Sequence, residues 1–440
     1  MLRRLAAALT ALLLVPCAAL AAPIAVNFEG MAALIEADGT EIVAPGTYDF
    51  IFAVGEEGEL FCGGSSVDGE YRYVLLDGQG TPLTRQDYDM FSLSDGVIIF
   101  TRDGLFGAMN AQGEVLVEAE YTQLVANGEG GFVGLTTDCY DEEADGLYLI
   151  DAQGGRTATG VRTTGVLGWY SGGLMPLLSA ENNLYGYVDA TGQWAVRPQF
   201  AYAGALSGGR AVASLSTGYG LIDATGNWVI TPKYDEVTYT DDALAFAVIS
   251  GEEAVGFEPH SCAERFRIDI TGMYAAAYDG LVQVYGEDSP SRLYDYDGNL
   301  IFEGSSQAMY AAGLNGQYIL TDGAWGADAC RLIHADGTLS EQAWQSLFAL
   351  CTVDGVGYYG FMRFDATPTY SQTLEQTQYD WDPESVRYGV VDETGAVTLE
   401  PVYEEMYLAA PGRLLVRQAE VCGVIDMEGN WIYQISLAGE

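Results

Sequence analysis

The stretch from Leu184 to Asp235 says one thing twice, and that repetition limits what the chain can fold into more than any other feature. Gly186-Tyr-Val-Asp189-Ala-Thr-Gly192 returns as Gly220-Leu-Ile-Asp223-Ala-Thr-Gly226, and Trp194, Pro198 and Phe200 return as Trp228, Pro232 and Tyr234. Short β-forming runs flank a small polar turn in each copy. Asp189 and Asp223 stand where a carboxylate can bond backbone N–H groups two residues on, and Gly192 and Gly226 supply the positive φ that closes the hairpin. Pro198 and Pro232 lack an N–H, so each is expected to end its strand or lie on a sheet edge. With the apolar runs 210–215 and 243–249 added, each unit reads as an antiparallel meander of three strands, or four if 234–238 is extended.

One meander cannot bury its apolar face alone, so a repeated meander must stack on its own copies. The pattern resembles the WG-repeat family, built around G-x-I/V-D-x-x-G-x-x-V/I-x-P-x-Y/F. Tyr185 and Tyr219 stand where that family usually has the Trp of its name. The resemblance implies an all-β, β-propeller-like repeat protein and implies no defined activity. An open β-hairpin solenoid is the alternative architecture, since it asks for only two or three strands per unit.

The same turn counts the units along the chain. Glu36–Gly39, Asp77–Gly80, Asn110–Gly113 and Asp151–Gly154 precede the two central copies. Asp269–Gly272, Asp295–Gly298, His334–Gly337, Asp392–Gly395 and Asp426–Gly429 follow them. Asp269–Gly272 is the weakest, so residues 22–440 hold about ten or eleven units, in one array or two sub-arrays. Two stretches read as insertions: 251–267, and the acidic, proline-bracketed 365–385. The turn residues Asp77, Gly80, Asp189, Gly192, Asp223, Gly226, Asp392, Gly395, Asp426 and Gly429 are assigned to structure. Trp194, Trp228 and Trp431 share one repeat position and are expected to pack between units.

Residues 1–21 have the form of a signal peptide: Arg3-Arg4, an apolar run over 5–15, and a small-x-small site ahead of Ala22. The expected location is therefore secreted, extracellular or associated with the cell envelope. Pro16 sits where a lipid attachment site at Cys17 would need a small residue, which disfavours a lipoprotein anchor. No later stretch has the ~20 apolar residues of a membrane span. Without Arg3 and Arg4 the chain has 62 acidic and 16 basic residues, a net of −46. A charge of that sign disfavours nucleic acid as a partner. Six cysteines remain (Cys62, Cys139, Cys262, Cys330, Cys351, Cys422), scattered and without a C-x-x-C, so a zinc or redox site is not expected and fifteen disulfide pairings stay open.

Chemistry has few candidates. His334 occupies a turn position, and His260 with Cys262 lacks a third orienting group for nucleophilic catalysis. No catalytic or metal-ligating residue is therefore assigned. The acidic runs 141–145 and 295–299 make calcium the one cofactor to consider, although neither completes an EF-hand loop. The residues singled out for binding are Tyr379, Asp380, Trp381 and Asp382, aromatics between acids in the longest insertion, a pattern suited to sugar or peptide. The expected function is an exported, non-catalytic scaffold binding a polysaccharide, peptide or protein outside the cell. The alternative is a secreted carboxylate-dependent glycoside hydrolase or lyase on the same scaffold.

Overall fold

The computed structural model describes residues 22–437 apart from 29, 56–57, 137–145, 241–242, 250, 288, 325 and 372–375. The expected signal peptide, Cys17, Cys139 and the acidic run 141–145 lie outside the described residues.

The protein is an all-β, β-propeller-like array of antiparallel meanders. Among the described residues eleven sheets of three or four strands follow one another in chain order, with one extra two-stranded hairpin. We number them as blades: 1 (24–48), 2 (50–77), 3 (90–121), 4 (123–162), 5 (174–200), 6 (202–234), 7 (236–269), 8 (274–303), 9 (309–333), 10 (346–363 with 387–403) and 11 (405–436). Two compact units divide the chain. One takes the residues up to Ser66, Leu76–Pro82 and Ala311 onward; the other takes Val67–Leu75 and Leu83–Tyr310.

Blade 6 shows how the repeat builds its sheet. Strand Gly218–Asp223 pairs with Trp228–Tyr234 across the turn at Asp223. Gly226 N–H donates to the Asp223 carbonyl at 2.9 Å, and Asp223 Oδ1 accepts from Thr225 N at 2.9 Å, Thr225 Oγ1 at 2.6 Å and Asn227 N at 3.0 Å. Asp189 holds Thr191 and Gln193 in the same way in blade 5. Past the turn the register slips between Tyr219 and Leu221, and the bulged segment around Pro232 folds over Gly220. A Cβ on Gly220 would lie 3.0 Å from Pro232 N, and one on Gly186 would lie 2.8 Å from Pro198 N. The prolines thus do not end their strands: they sit at bulges on the outer strands of their sheets, where the missing N–H breaks no ladder.

Within each unit apolar faces are buried between neighbouring blades. In one unit Leu174, Tyr187, Val196 and Phe200 of blade 5 pack on Ala203, Ala211, Ala213 and Ile222 of blade 6. Trp228 closes the layer edge-on to Phe200, with ring centroids 5.6 Å apart. Trp194 packs in the layer between blades 4 and 5, and Trp431 in the layer between blades 10 and 11. In the other unit blade 1 packs on blade 11, with Val26, Phe28 and Ile35 against Cys422, Val424 and Ile435. Tyr433 Oη donates to Glu41 at 2.7 Å across the same layer. An open solenoid would leave the first and last units each with a bare apolar face; here those two faces cover one another.

Residues 251–267 are not an insertion. They hold strands Glu253–Phe257 and Glu264–Asp269 of blade 7, and the bend between them replaces the usual turn. Glu258 takes the role of aspartate there: its carbonyl accepts from Cys262 N at 2.8 Å and its carboxylate from Ser261 N at 2.5 Å. The Asp269–Gly272 turn starts at the last residue of blade 7 and leads to blade 8, so it closes no hairpin within a sheet. Among the described cysteines, Cys62, Cys262, Cys330, Cys351 and Cys422 are free thiols, and burial pushes the Cys62 thiol up to about 12.

The turn glycines make the contact that sets blade spacing. A Cβ on Gly226 (φ +82°) would come 2.6 Å from Val196 Cγ1 of the preceding blade, whereas one on Gly209 (φ +77°) would meet nothing within 4 Å. Gly209→Ala therefore reports positive φ alone, about 1 kcal/mol. Gly226→Ala adds the clash and should cost about 3 kcal/mol. Urea midpoints of the two variants check this, and equal losses would contradict it.

Hydrogen bonds from Thr225, chiefly from its hydroxyl, hold the Asp223 carboxyl below its ordinary value. The stabilisation this carries is complete above the unfolded value of about 3.9 and is lost as pH falls through the lower folded value. The stability gap between wild type and Asp223→Asn should stay constant from pH 7 to about pH 5 and close below about pH 4. Urea titrations across that range test it, and a gap independent of pH would count against the capping role.

Candidate functional site

Blade 10 carries an element its sheet does not need. Strand Val356–Arg363 pairs directly with Arg387–Asp392, from Tyr358 opposite Asp392 to Arg363 opposite Arg387. The chain between them leaves the sheet as a hairpin of Ala366–Ser371 and Gln376–Trp381, paired antiparallel from Ala366 opposite Trp381 outward.

The hairpin root is fixed by side chains that flank the first two strands of blade 10. Gln345 Nε2 donates to the carbonyls of Phe364 at 2.9 Å and Gly326 at 3.2 Å, and Gln345 Oε1 accepts from Phe364 N at 2.9 Å. Trp381 packs on Phe364 with ring centroids 5.5 Å apart. Asp382 N–H donates to the Asp365 carbonyl at 3.0 Å, and the Asp382 carboxylate caps the short 3-10 turn Pro383–Ser385 by accepting from Glu384 N at 2.9 Å. Asp380 accepts from the Thr369 hydroxyl at 2.8 Å. Tyr379 lies so close to Gly326 that a Cβ there would come within 2.6 Å of its own.

Of the four residues singled out for binding, Tyr379, Trp381 and Asp382 make contacts at the hairpin root, and Asp380 bonds across the hairpin. Trp381 and Tyr379 are half-buried. Tyr379 still lines an open cleft of about 500 Å³ beneath the hairpin, together with Asp328, Gln345, Arg363, Asp365 and Arg387. Arg363 pairs with Asp328 at 3.0 Å. Arg387 donates to the carbonyls of Glu384 and Val386 at 2.9 and 2.7 Å. A guanidinium has five N–H donors, so both arginines keep donors for a ligand. The cleft thus holds donors on Arg363 and Arg387 and acceptors on Asp328 and Asp365, the groups that hydroxyls or peptide amides would bond. The legible signal for this cleft is that Arg363 and Arg387 bracket the insertion in a chain with only 18 basic residues. Gln345 and Asp328 carried no signal, because they belong to other parts of the chain.

The remaining candidates serve turns. His260 and Cys262 lie in the blade 7 bend, where Arg210 donates to the His260 carbonyl at 3.3 Å. His334 N–H donates to the Thr338 carbonyl at 2.8 Å, and its Nδ1 meets Gln317 Nε2 at 3.2 Å. Asp295 Oδ1 accepts from Asp297 N and Asn299 N at 2.9 and 2.8 Å, as the other turn aspartates do. Among the described residues no group of three or more His, Cys, Asp or Glu gathers as a metal site. No helix there is long and apolar enough to cross a membrane.

If the root holds the hairpin as described, Gln345→Leu removes three hydrogen bonds and frees it. Limited proteolysis should then cut within 366–381 at least several-fold faster, with the melting temperature of the sheets little changed. An unchanged cutting rate would show that the root lies elsewhere.

Comparison with known proteins finds similar folds and one matching repeat family. Crystal structures with similar folds include BamB from Moraxella catarrhalis, at 13% identity and a TM-score of 0.30 over 61% of this chain and 92% of that one. A eukaryotic initiation factor aligns at 7% identity and a TM-score of 0.45 over 94% and 96% of the two chains. Apo AztD from Citrobacter koseri aligns at 14% identity and a TM-score of 0.30 over 65% and 94%. No curated protein sequence matches the chain. The family described as WG containing repeat matches residues 185–215 and 219–251. The chain therefore carries two consecutive WG containing repeats, set within blades 5 to 7 of its meander array.

Proposed function

We infer that this protein is an exported, non-catalytic scaffold that binds a polysaccharide, peptide or protein outside the cell or in its envelope. The observation that carries this reading is the blade 10 hairpin. Its sheet is continuous without it, and its Tyr379 lines a cleft that gathers Arg363, Arg387, Asp328 and Asp365. A projecting element on a rigid repeat array is where recognition is usually placed. Export rests on the form of residues 1–21.

Carboxylates on this scaffold are held in their charged form by the fold. The described carboxyls that depart from their ordinary values (Asp38, Asp189, Asp223, Asp269, Asp336, Asp426, Glu258 and Glu264) all depart downwards. Hydrogen bonds within turns or to Arg267 hold them there.

The test replaces residues 367–380 with a short Gly-Ser link in the mature chain. The melting temperature should stay within a few degrees of wild type, because strands Val356–Arg363 and Arg387–Asp392 keep their pairing. Retention on a panel of immobilised cell-wall polysaccharides and envelope proteins should be lost. Retention equal to wild type would remove the cleft from consideration.

A further inference from the structure

A second surface is built from the repeat itself and lies wholly within the unit of Val67–Leu75 and Leu83–Tyr310. Tyr185 of blade 5 and Tyr202 and Tyr219 of blade 6 form a row. Ring centroids are 6.2 Å apart from Tyr185 to Tyr202 and 6.1 Å apart from Tyr202 to Tyr219. Tyr202 is 45% exposed and Tyr219 37%. The three residues are evenly spaced along the chain, and Glu236 stands at the next step. An open cleft of about 600 Å³ runs along Tyr202, Tyr219, Asp235, Glu236 and Tyr239. Asp235 and Glu236 are exposed, and neither carboxylate has an ion pair among the described residues.

We propose that this row is a docking track for an extended segment of another protein that carries lysine or arginine at alternate positions. Three properties of the surface select that occupant. Aromatic faces are negative, and two free carboxylates continue the row, so the ligand side facing it is cationic. The net charge of −44 draws such a ligand in from a distance. Neighbouring rings are tilted by 59° and 60°, which makes notches instead of the flat platform on which a sugar ribbon would lie. The spacing selects the backbone. An extended chain rises about 3.3 Å per residue, so side chains on one side recur at about 6.6 Å, close to the ring spacing. Successive basic side chains then lie over Tyr185, Tyr202 and Tyr219, with the next reaching Glu236.

None of these residues lines the cleft under the hairpin, so either site can fail without the other. The experiment uses the mature full-length chain and fluorescence anisotropy. Its probes are a labelled peptide of alternating lysine and threonine, the matching glutamate peptide, and β-1,4-linked glucan and chitin hexamers as competitors. The lysine peptide should bind, more weakly at high salt, and the glutamate peptide should not. Tyr202→Ala should weaken binding about tenfold, within the range of cation–π attraction lost with one ring. Tyr202→Phe keeps the ring and should stay within about twofold of wild type. Glu236→Gln should weaken binding several-fold, while Glu400→Gln, the same change of charge in the other unit, should not. Far-UV circular dichroism and melting temperature confirm that each variant is folded. Wild-type protein that ignores the lysine peptide, or Tyr202→Ala and Glu236→Gln variants that bind it as wild type does, would overturn the proposal. Displacement of the peptide by a sugar hexamer that itself depends on Tyr202 would reassign the row to carbohydrate.

Discussion

The structure depends on a glycine that has no room for a side chain. In blade after blade the turn glycine is seated against the blade before it: Gly192 on Thr159, Gly226 on Val196, Gly298 on Phe266, Gly395 on Trp344, Gly429 on Leu399. Each contact is tighter than a Cβ would allow or nearly so, and all five glycines also have a positive φ that L residues avoid. The turn therefore does two things with one residue. It closes the hairpin and sets how near two apolar sheets approach, which decides whether the layer between them packs to interior density. Gly39 makes the same contact on Ile432, so blade 1 takes blade 11 as its predecessor. The chain ends are joined by the interaction that joins the middle.

The turn aspartates are satisfied without ion pairs. Asp77, Asp151, Asp189, Asp223, Asp295, Asp392 and Asp426 each bond two backbone N–H groups of their own turn. A carboxylate held by N–H groups needs no arginine to be satisfied. Charge on the turns is thus part of the fold, and the 18 basic residues are left for other places. Arg363 and Arg387 line the hairpin cleft, and the tyrosine row beside Asp235 and Glu236 has none of them among its lining residues.

Recognition on such an array can come from an added element or from the repeat itself. The hairpin of blade 10 is an addition, tolerated because strands Val356–Arg363 and Arg387–Asp392 meet without it. The tyrosine row is the other kind. Tyr185 and Tyr219 occupy equivalent positions in consecutive units, and Tyr202 falls midway between them along the chain. Stacked copies turn one residue choice into a line of rings, which a single domain of unrelated strands could not produce.

Much of the architecture was legible because period and turn chemistry are local. Asp-x-x-Gly, the flanking β-formers and Pro198 or Pro232 require contacts only within a few residues, so the meander and its repetition follow from the chain itself. The same reasoning misread residues 251–267, because Glu258 closes its bend with a longer side chain and leaves no glycine to mark it. Nothing in the sequence shows that Phe364 and Gly326 lie against Trp381 and Tyr379. The cleft needed Asp328 and Gln345 brought to Arg363 and Arg387, and those meetings depend on how blades 9 and 10 are folded. Alone, then, the sequence determined the repeating hairpin, its capped turns and its acidity, all set by neighbours along the chain. Only the tertiary structure decided which blade covers which, where the rings line up and which side chains share a cleft, because those depend on distances between residues far apart in the chain.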